Sequence, residues 1–132
     1  MASTFQCTLV TPERSVIDAE ATYVDLPAHD GQLGVMTNRA AMLVKLGVGP
    51  LRLELSGDAD RRYALDGGFA QMRDNHLTLL CERAVAAEDL DAGSAQARLR
   101  EAEQMPVSTV EQVEARDHAL AYARTLVKVA GG

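Results

Sequence analysis

Hydrophobic and polar positions along this chain follow two different periods. From Phe5 to about Ala86 they alternate on a period of two, the spacing that sends successive side chains to opposite faces of a strand. Phe5-Gln6-Cys7-Thr8-Leu9-Val10 is the first such run, and Ser15-Val16-Ile17-Asp18 is a short second one. Thr22, Val24 and Leu26 alternate with Tyr23 and Asp25 until Pro27, which is expected to end that run. Gln32–Met36 and Met42–Leu46 follow. Leu51, Leu53 and Leu55 alternate with Arg52 and Glu54, the clearest half-buried strand in the chain. Arg62–Leu65, Phe69–Arg73 and Leu77–Cys81 complete the series. Turn signals separate the runs: Thr11-Pro12-Glu13-Arg14, His29-Asp30-Gly31, Gly47, Gly49-Pro50, Ser56-Gly57-Asp58, Gly67-Gly68 and Asp74-Asn75. Many short strands at such intervals predict a β-sandwich or barrel.

After Glu88 the period lengthens. Ala92, Ala95, Leu99 and Ala102 recur at helical spacing, and Glu88, Asp89 and Asp91 crowd the start, where a helix dipole favours negative charge. Met105-Pro106 stops the run, because proline disfavours helix at the residue before it. Ser108 as N-cap with Glu111 three residues on fits a capping box for a second helix reaching about Ala130. Val113, Leu120 and Val127 repeat every seven residues in it, beside Ala119, Ala123, Leu126 and Ala130. Two helices joined by a short break predict an antiparallel hairpin, and the small alanines let the helices approach closely. Residues 1–87 are therefore expected to form a β-sandwich domain and residues 88–132 a helical hairpin domain.

Composition narrows the function. The net charge of -6 and the absence of any basic cluster beyond Arg61-Arg62 argue against a nucleic-acid binder, which needs a basic stripe to neutralise phosphates. With no Trp and few aromatics, Ala, Val and Leu must fill the core. Cys7 and Cys81 both fall at apolar positions of strand-like runs and are expected to be buried free thiols. Met1-Ala2-Ser3-Thr4 has no basic n-region and no apolar run, so no secretory leader and no membrane span are expected.

Catalytic chemistry is not legible. His29, His76 and His118 fall in a turn, a second turn and the helical half, with no metal-ligand spacing to another His or Cys, so solvated positions are expected for them. Cys81 near His76 is better read as a core thiol than as a nucleophile with its base. Gly67-Gly68 lacks the phosphate-loop spacing and marks either a bulge or a close approach of another backbone. A binding or structural module remains, with no catalytic residue, cofactor or metal expected.

Several segments in order resemble one family. Gly31-Gln32-Leu33-Gly34-Val35, after Val24-Asp25-Leu26-Pro27, looks like the Gly-Glu/Gln-Leu/Ile-Gly-Ile/Val signature of the epsilon subunits of F-type ATP synthases. Asn38-Arg39-Ala40-Ala41-Met42-Leu43, Gly47-Val48-Gly49-Pro50-Leu51-Arg52, Ala64-Leu65-Asp66-Gly67-Gly68-Phe69-Ala70 and Leu77-Thr78-Leu79-Leu80 resemble the segments that follow in that family. Asp89-Leu90-Asp91 opens the helical half as in the family. The resemblance implies a ten-stranded β-sandwich followed by two helices, and a non-catalytic rotor subunit. It implies partners in the gamma subunit and the c-ring, coupling of ion flow to ATP synthesis, and a peripheral place on the cytoplasmic face of the bacterial plasma membrane, with membrane contact only through the complex. By position, Gln32, Asn38, Arg39 and Ala40 would face the c-ring. The ATP motif of many relatives, Ile/Leu-Asp-x-x-Arg-Ala, reads here Leu90-Asp91-Ala92-Gly93-Ser94-Ala95. Ser94 replaces the arginine, and Tyr122 and Leu126 stand where relatives carry a helical arginine pair, so weak or no ATP binding is expected. Arg116, Arg124 and Lys128 are the candidates for a regulatory contact with the catalytic alpha and beta subunits, set among Glu111, Glu114 and Asp117. The competing reading is a stand-alone β-sandwich adaptor that binds a partner protein.

Overall fold

The computed structural model describes residues 3–131. Met1 and Ala2, part of the segment read above as lacking a leader, and Gly132 lie outside the described residues. Six strands come first: β1 (Phe5–Val10), β2 (Ser15–Ala28), β3 (Gly31–Val35), β4 (Met42–Leu55), β5 (Arg61–Arg73) and β6 (His76–Ala86). A 3-10 turn (Ala87–Asp89) leads to two helices, α1 (Ala92–Glu103) and α2 (Val110–Ala130). The strands run in the order β1-β6-β5-β4-β2-β3, and β1 also pairs with β2, so five of them close into a barrel with β3 added on β2. The β1–β6 pairing is parallel and the others are antiparallel.

Six strands stand where ten were expected, and the reason lies in the residues read as turns. Gly47, Gly49-Pro50, Gly67-Gly68 and Pro27 all sit inside long strands. On β4, Leu51, Leu53 and Leu55 face the barrel core, but nearer its start Leu46 does, with Met42 and Val44 packed beside it. On β5, Tyr63 and Leu65 face inward before the glycine pair, and Ala70 and Met72 after it. On β6, Leu77, Leu79 and Cys81 give way to Ala84 and Ala86. The inward face thus switches from one parity to the other at the same level on three neighbouring strands. Pairing does not slip: Leu46 is opposite Gly68, Val48 opposite Asp66, Asp66 opposite Arg83 and Gly68 opposite Cys81. Each long strand is therefore two runs of alternation joined at a corner, which a reading by period counts as two strands.

Of the two readings of Gly67-Gly68, close approach holds and the bulge does not. Gly68 has φ +118°, and a Cβ there would lie 1.9 Å from the Leu80 carbonyl oxygen. Pro27 does not end β2, because it pairs with Gln32 of β3 and falls where the β2–β4 ladder breaks, between Asp25 and Ala28. A proline has no N–H to give that ladder.

Leucines dominate the interior; Leu9, Leu26, Leu51, Leu53, Leu65, Leu77 and Leu79 are fully buried around Phe5, each contributing roughly 1.5–3 kcal/mol. Cys7 and Cys81 are free and buried, as expected, and burial pushes both thiols up to about 12. His76 lies on the outer side, its Nε2 2.9 Å from the Thr8 hydroxyl, while Cys81 faces the core.

Both helices form, with one boundary corrected. The capping box of α2 uses Thr109 and Gln112 instead of Ser108 and Glu111. Thr109 Oγ1 accepts the Gln112 N–H at 3.1 Å, and Gln112 Oε1 accepts from both Ser108 and Thr109 N–H, at 2.8 and 3.2 Å. The one-residue shift lets a single amide oxygen satisfy two backbone donors. The hairpin docks on the outer wall of the barrel through a second, smaller apolar cluster. Ala95, Tyr122, Leu126 and Val129 pack there against Ala64, with Val48, Ala87 and Leu90 around them.

Candidate functional site

The junction between barrel and hairpin is built on the corner of β5. Tyr63 and Leu65 point into the barrel, so Ala64 and Asp66 point out, beneath α2. Asp66 is the one charged side chain among the described residues that is buried, at 6% exposure. A buried carboxylate needs partners. Arg83, directly opposite on β6, donates through Nε at 2.9 Å and through a second, shorter contact from Nη2 to the same oxygen. The other oxygen, Oδ1, lies 2.7 Å from His118 Nε2 on α2. Burial would raise the Asp66 carboxyl, but hydrogen bonds and charge from Arg83 and His118 outweigh it and hold the group below the usual carboxylate range.

One turn after His118, Tyr122 closes over this pair. The Arg83 guanidinium carbon is 3.9 Å from its ring centroid and that of Arg98, on α1, is 5.0 Å away. Asp66, Arg83, Arg98, His118 and Tyr122 thus join four elements at one point. A cavity of 370 Å³ opens beside them, lined also by Glu101 and Met105. His118 is exposed on the helix surface, as expected, with 55% of its side chain accessible, and its Nε2 also attaches the hairpin to Asp66. No sequence spacing links residues 66 and 118. The available signal was a lone aspartate just before Gly67-Gly68, in a strand whose neighbours Ala64 and Leu65 are apolar.

The expected site residues distribute as follows. Asn38, Arg39 and Ala40 are exposed in the β3–β4 loop at one end of the barrel. Asn38 has φ +61° and exchanges two hydrogen bonds with Asn75 of the β5–β6 turn, at 2.6 and 3.0 Å. Arg39 reaches back to the Gly34 carbonyl at 3.3 Å. Gln32 is not in that loop but near the other end of β3, roughly 10 Å of strand away, where its amide donates to Asp25 and to the Pro50 carbonyl. Asp91 caps α1, accepting from Ser94 N–H at 2.8 Å and from the Ser94 hydroxyl at 2.9 Å, and these bonds lower its carboxyl. Leu90 and Ala95 pack in the junction cluster. The ATP-motif positions therefore serve as a helix start and a packing contact. Arg124 and Lys128 are exposed on α2, and Arg116 is half-buried. Among the described residues no group of three His, Cys, Asp or Glu could hold a metal ion.

On the outer wall, Leu80 pairs with Val10 on one side and Phe69 on the other. Phe69 and Leu80 are half-exposed, and Leu43 nearby on β4 is 73% exposed. This places an apolar row across β1, β6 and β5, on the side opposite to the core.

The molecule is thus a closed barrel carrying a helical hairpin on its outer wall, joined at one charged junction. The family model for the ATP synthase delta/epsilon chain β-sandwich domain matches residues 4–87. The ATP synthase epsilon chain of Rhodopirellula baltica is 45% identical over 119 residues, 90% of this chain and 92% of that one. The epsilon chain of Desulfitobacterium hafniense strain Y51 is 31% identical across 98% of this chain and 96% of its own length. Among solved structures, a chain of the Euglena gracilis mitochondrial ATP synthase (OSCP/F1/c-ring) has the same fold, with a TM-score of 0.84 at 21% identity, covering 93% of this chain and 79% of that one. A chain of the Tetrahymena thermophila mitochondrial ATP synthase central stalk and c-ring gives 0.70 at 16% identity, with 95% of each covered. This chain belongs to the ATP synthase epsilon-chain family, and so to the components of an enzyme complex that makes ATP. No helix among its described residues is long and apolar enough to cross a membrane.

Proposed function

We propose that this chain is the epsilon subunit of an F-type ATP synthase central stalk, linking the gamma subunit to the c-ring and turning with both as ion flow drives ATP synthesis. The observation that carries the reading is similarity along nearly the whole chain, hairpin included, to a bacterial epsilon chain. The subunit itself is not catalytic. It stands on the cytoplasmic face of the bacterial plasma membrane and meets the membrane only through its partners. The apolar row of Val10, Leu80 and Phe69 suits a broad protein partner and is assigned to gamma. The exposed loop with Asn38, Arg39 and Ala40 is assigned to the c-ring, where the Arg39 guanidinium can meet carbonyl or acidic groups of ring loops. Gln32 flanks that contact from along β3. The hairpin is the regulatory arm, offering Arg116, Arg124 and Lys128 to acidic segments of the catalytic subunits. The ATP-motif positions hold no nucleotide tightly, since Ser94 supplies no cation and the Asp91 carboxylate is already bonded to Ser94.

The test is co-purification with the gamma subunit. The wild-type chain should be retained, and the double variant Phe69→Asp, Leu80→Asp, checked to be folded by circular dichroism, should be lost. Equal retention of both would remove the assignment of this face, and failure of the wild type to bind would remove the subunit reading. In the assembled complex, a chain ending at Glu88 should raise ATP hydrolysis; an unchanged rate would dismiss the regulatory arm.

A further inference from the structure

Asp66 is held by two basic groups that belong to different parts of the molecule. Arg83 is its cross-strand neighbour and stays with it under any movement of the helices. His118 belongs to α2 and goes wherever the hairpin goes. The remaining attachment is the apolar cluster of Ala64, Ala95, Tyr122, Leu126 and Val129, the Arg83–Tyr122 contact, and one hydrogen bond at 3.4 Å from Arg62 Nη2 to the Lys128 carbonyl. We propose that the His118–Asp66 contact is a charge-operated latch, which fastens the hairpin to the barrel while the imidazole carries a proton and loosens it when that proton leaves.

The physical case rests on what each state leaves behind. In the docked state a protonated imidazole adds charge attraction to the 2.7 Å hydrogen bond, whereas a neutral one offers the hydrogen bond alone. In the released state Asp66 keeps Arg83 and gains water, so no unpaired charge is stranded in the barrel wall. The groups facing His118 are Asp66 from β5, Arg83 from β6, and Arg98 and Glu101 from α1, which line the same cavity. The two arginines and two carboxylates balance in number, and Asp66, in direct contact, decides the sign. Asp66 stays ionised above the ordinary carboxylate range, so the contact keeps its anionic side across the neutral range. The latch is a contact within one chain and stands or falls apart from the subunit reading.

The experiment uses the full chain with spin labels at Glu13→Cys, on the turn between β1 and β2, and Glu111→Cys, at the start of α2. Both native residues are exposed. Distance distributions are measured by double electron–electron resonance at pH 5.5 and pH 8.5. The ratio of released to docked hairpin should rise about two- to five-fold at the higher pH, the range of a partly exposed ion pair. His118→Gln, which keeps a donor but no titrating charge, should give one ratio at both pH values. His118→Lys should stay docked at both. A wild-type distribution that does not change with pH, or a His118→Gln chain that changes as much as the wild type, would overturn the latch.

Discussion

Gly68→Ala tests the corner on which the whole barrel turns. A Cβ at this position would lie 1.9 Å from the Leu80 carbonyl oxygen, 2.9 Å from the Leu80 carbonyl carbon and 2.8 Å from the Cys81 Cα. All three are backbone atoms of β6, the strand paired with Gly68, so no side chain can swing aside. The β5–β6 ladder would have to open at the level where three strands change face. Forcing such overpacking costs about 1–3 kcal/mol, and a non-glycine residue at φ +118° adds about 1–3 kcal/mol of backbone strain. The sum, about 2–6 kcal/mol, is a large part of the 5–15 kcal/mol that holds a typical domain. Gly67→Ala is the internal control. Its φ is +73°, but the nearest atoms to its Cβ are the Glu82 side-chain carbons at 4.0 Å. It should cost about 1–2 kcal/mol of left-handed strain, partly offset by a less flexible unfolded chain. Urea unfolding of both variants reads the difference as a shift in midpoint at constant slope. Equal costs, or a Gly68→Ala loss under 1 kcal/mol, would refute the account of the corner.

Acid should weaken the junction through Asp66. Its carboxyl is held below its ordinary value, so its contribution is fully present above the unfolded pKa of about 3.9 and is lost as pH falls through the lower folded value; Asp66→Asn should remove that acid-dependent part of the stability measured by urea titration between pH 2 and 6. The capping assignment separates two adjacent residues: Thr109→Ala should cost about 1 kcal/mol and Ser108→Ala only a few tenths, read from thermal unfolding of the full chain. ATP at micromolar concentration should leave the melting temperature unchanged, and a rise would show a nucleotide site that the Asp91–Ser94 geometry does not suggest.

What the chain discloses on its own divides along the range of each interaction. Leu51, Leu53 and Leu55 announce a strand because alternation is local, and Met105-Pro106 ends a helix because the clash is between neighbours. The number of strands was not local. Gly47 and Gly67-Gly68 look like turns in isolation and become corners only because Leu46–Gly68 and Gly68–Cys81 pairing runs through them without a slip. The residues on both sides of each corner alternate as two separate strands would, yet belong to one strand. The candidate contacts with partners were named from ordered motifs, and the structure distributes them unevenly: Asn38, Arg39 and Ala40 share an exposed loop, while Gln32 lies back along β3. The junction was the least legible feature, since Asp66 and His118 are 52 residues apart and neither carries a recognisable spacing. Yet its logic is elementary once the corner is known. Tyr63 and Leu65 take the inward face, which forces the Asp66 carboxylate outward, onto the surface that α2 covers. Arg83, opposite on β6, partners one carboxylate oxygen there, and His118 on the covering helix partners the other.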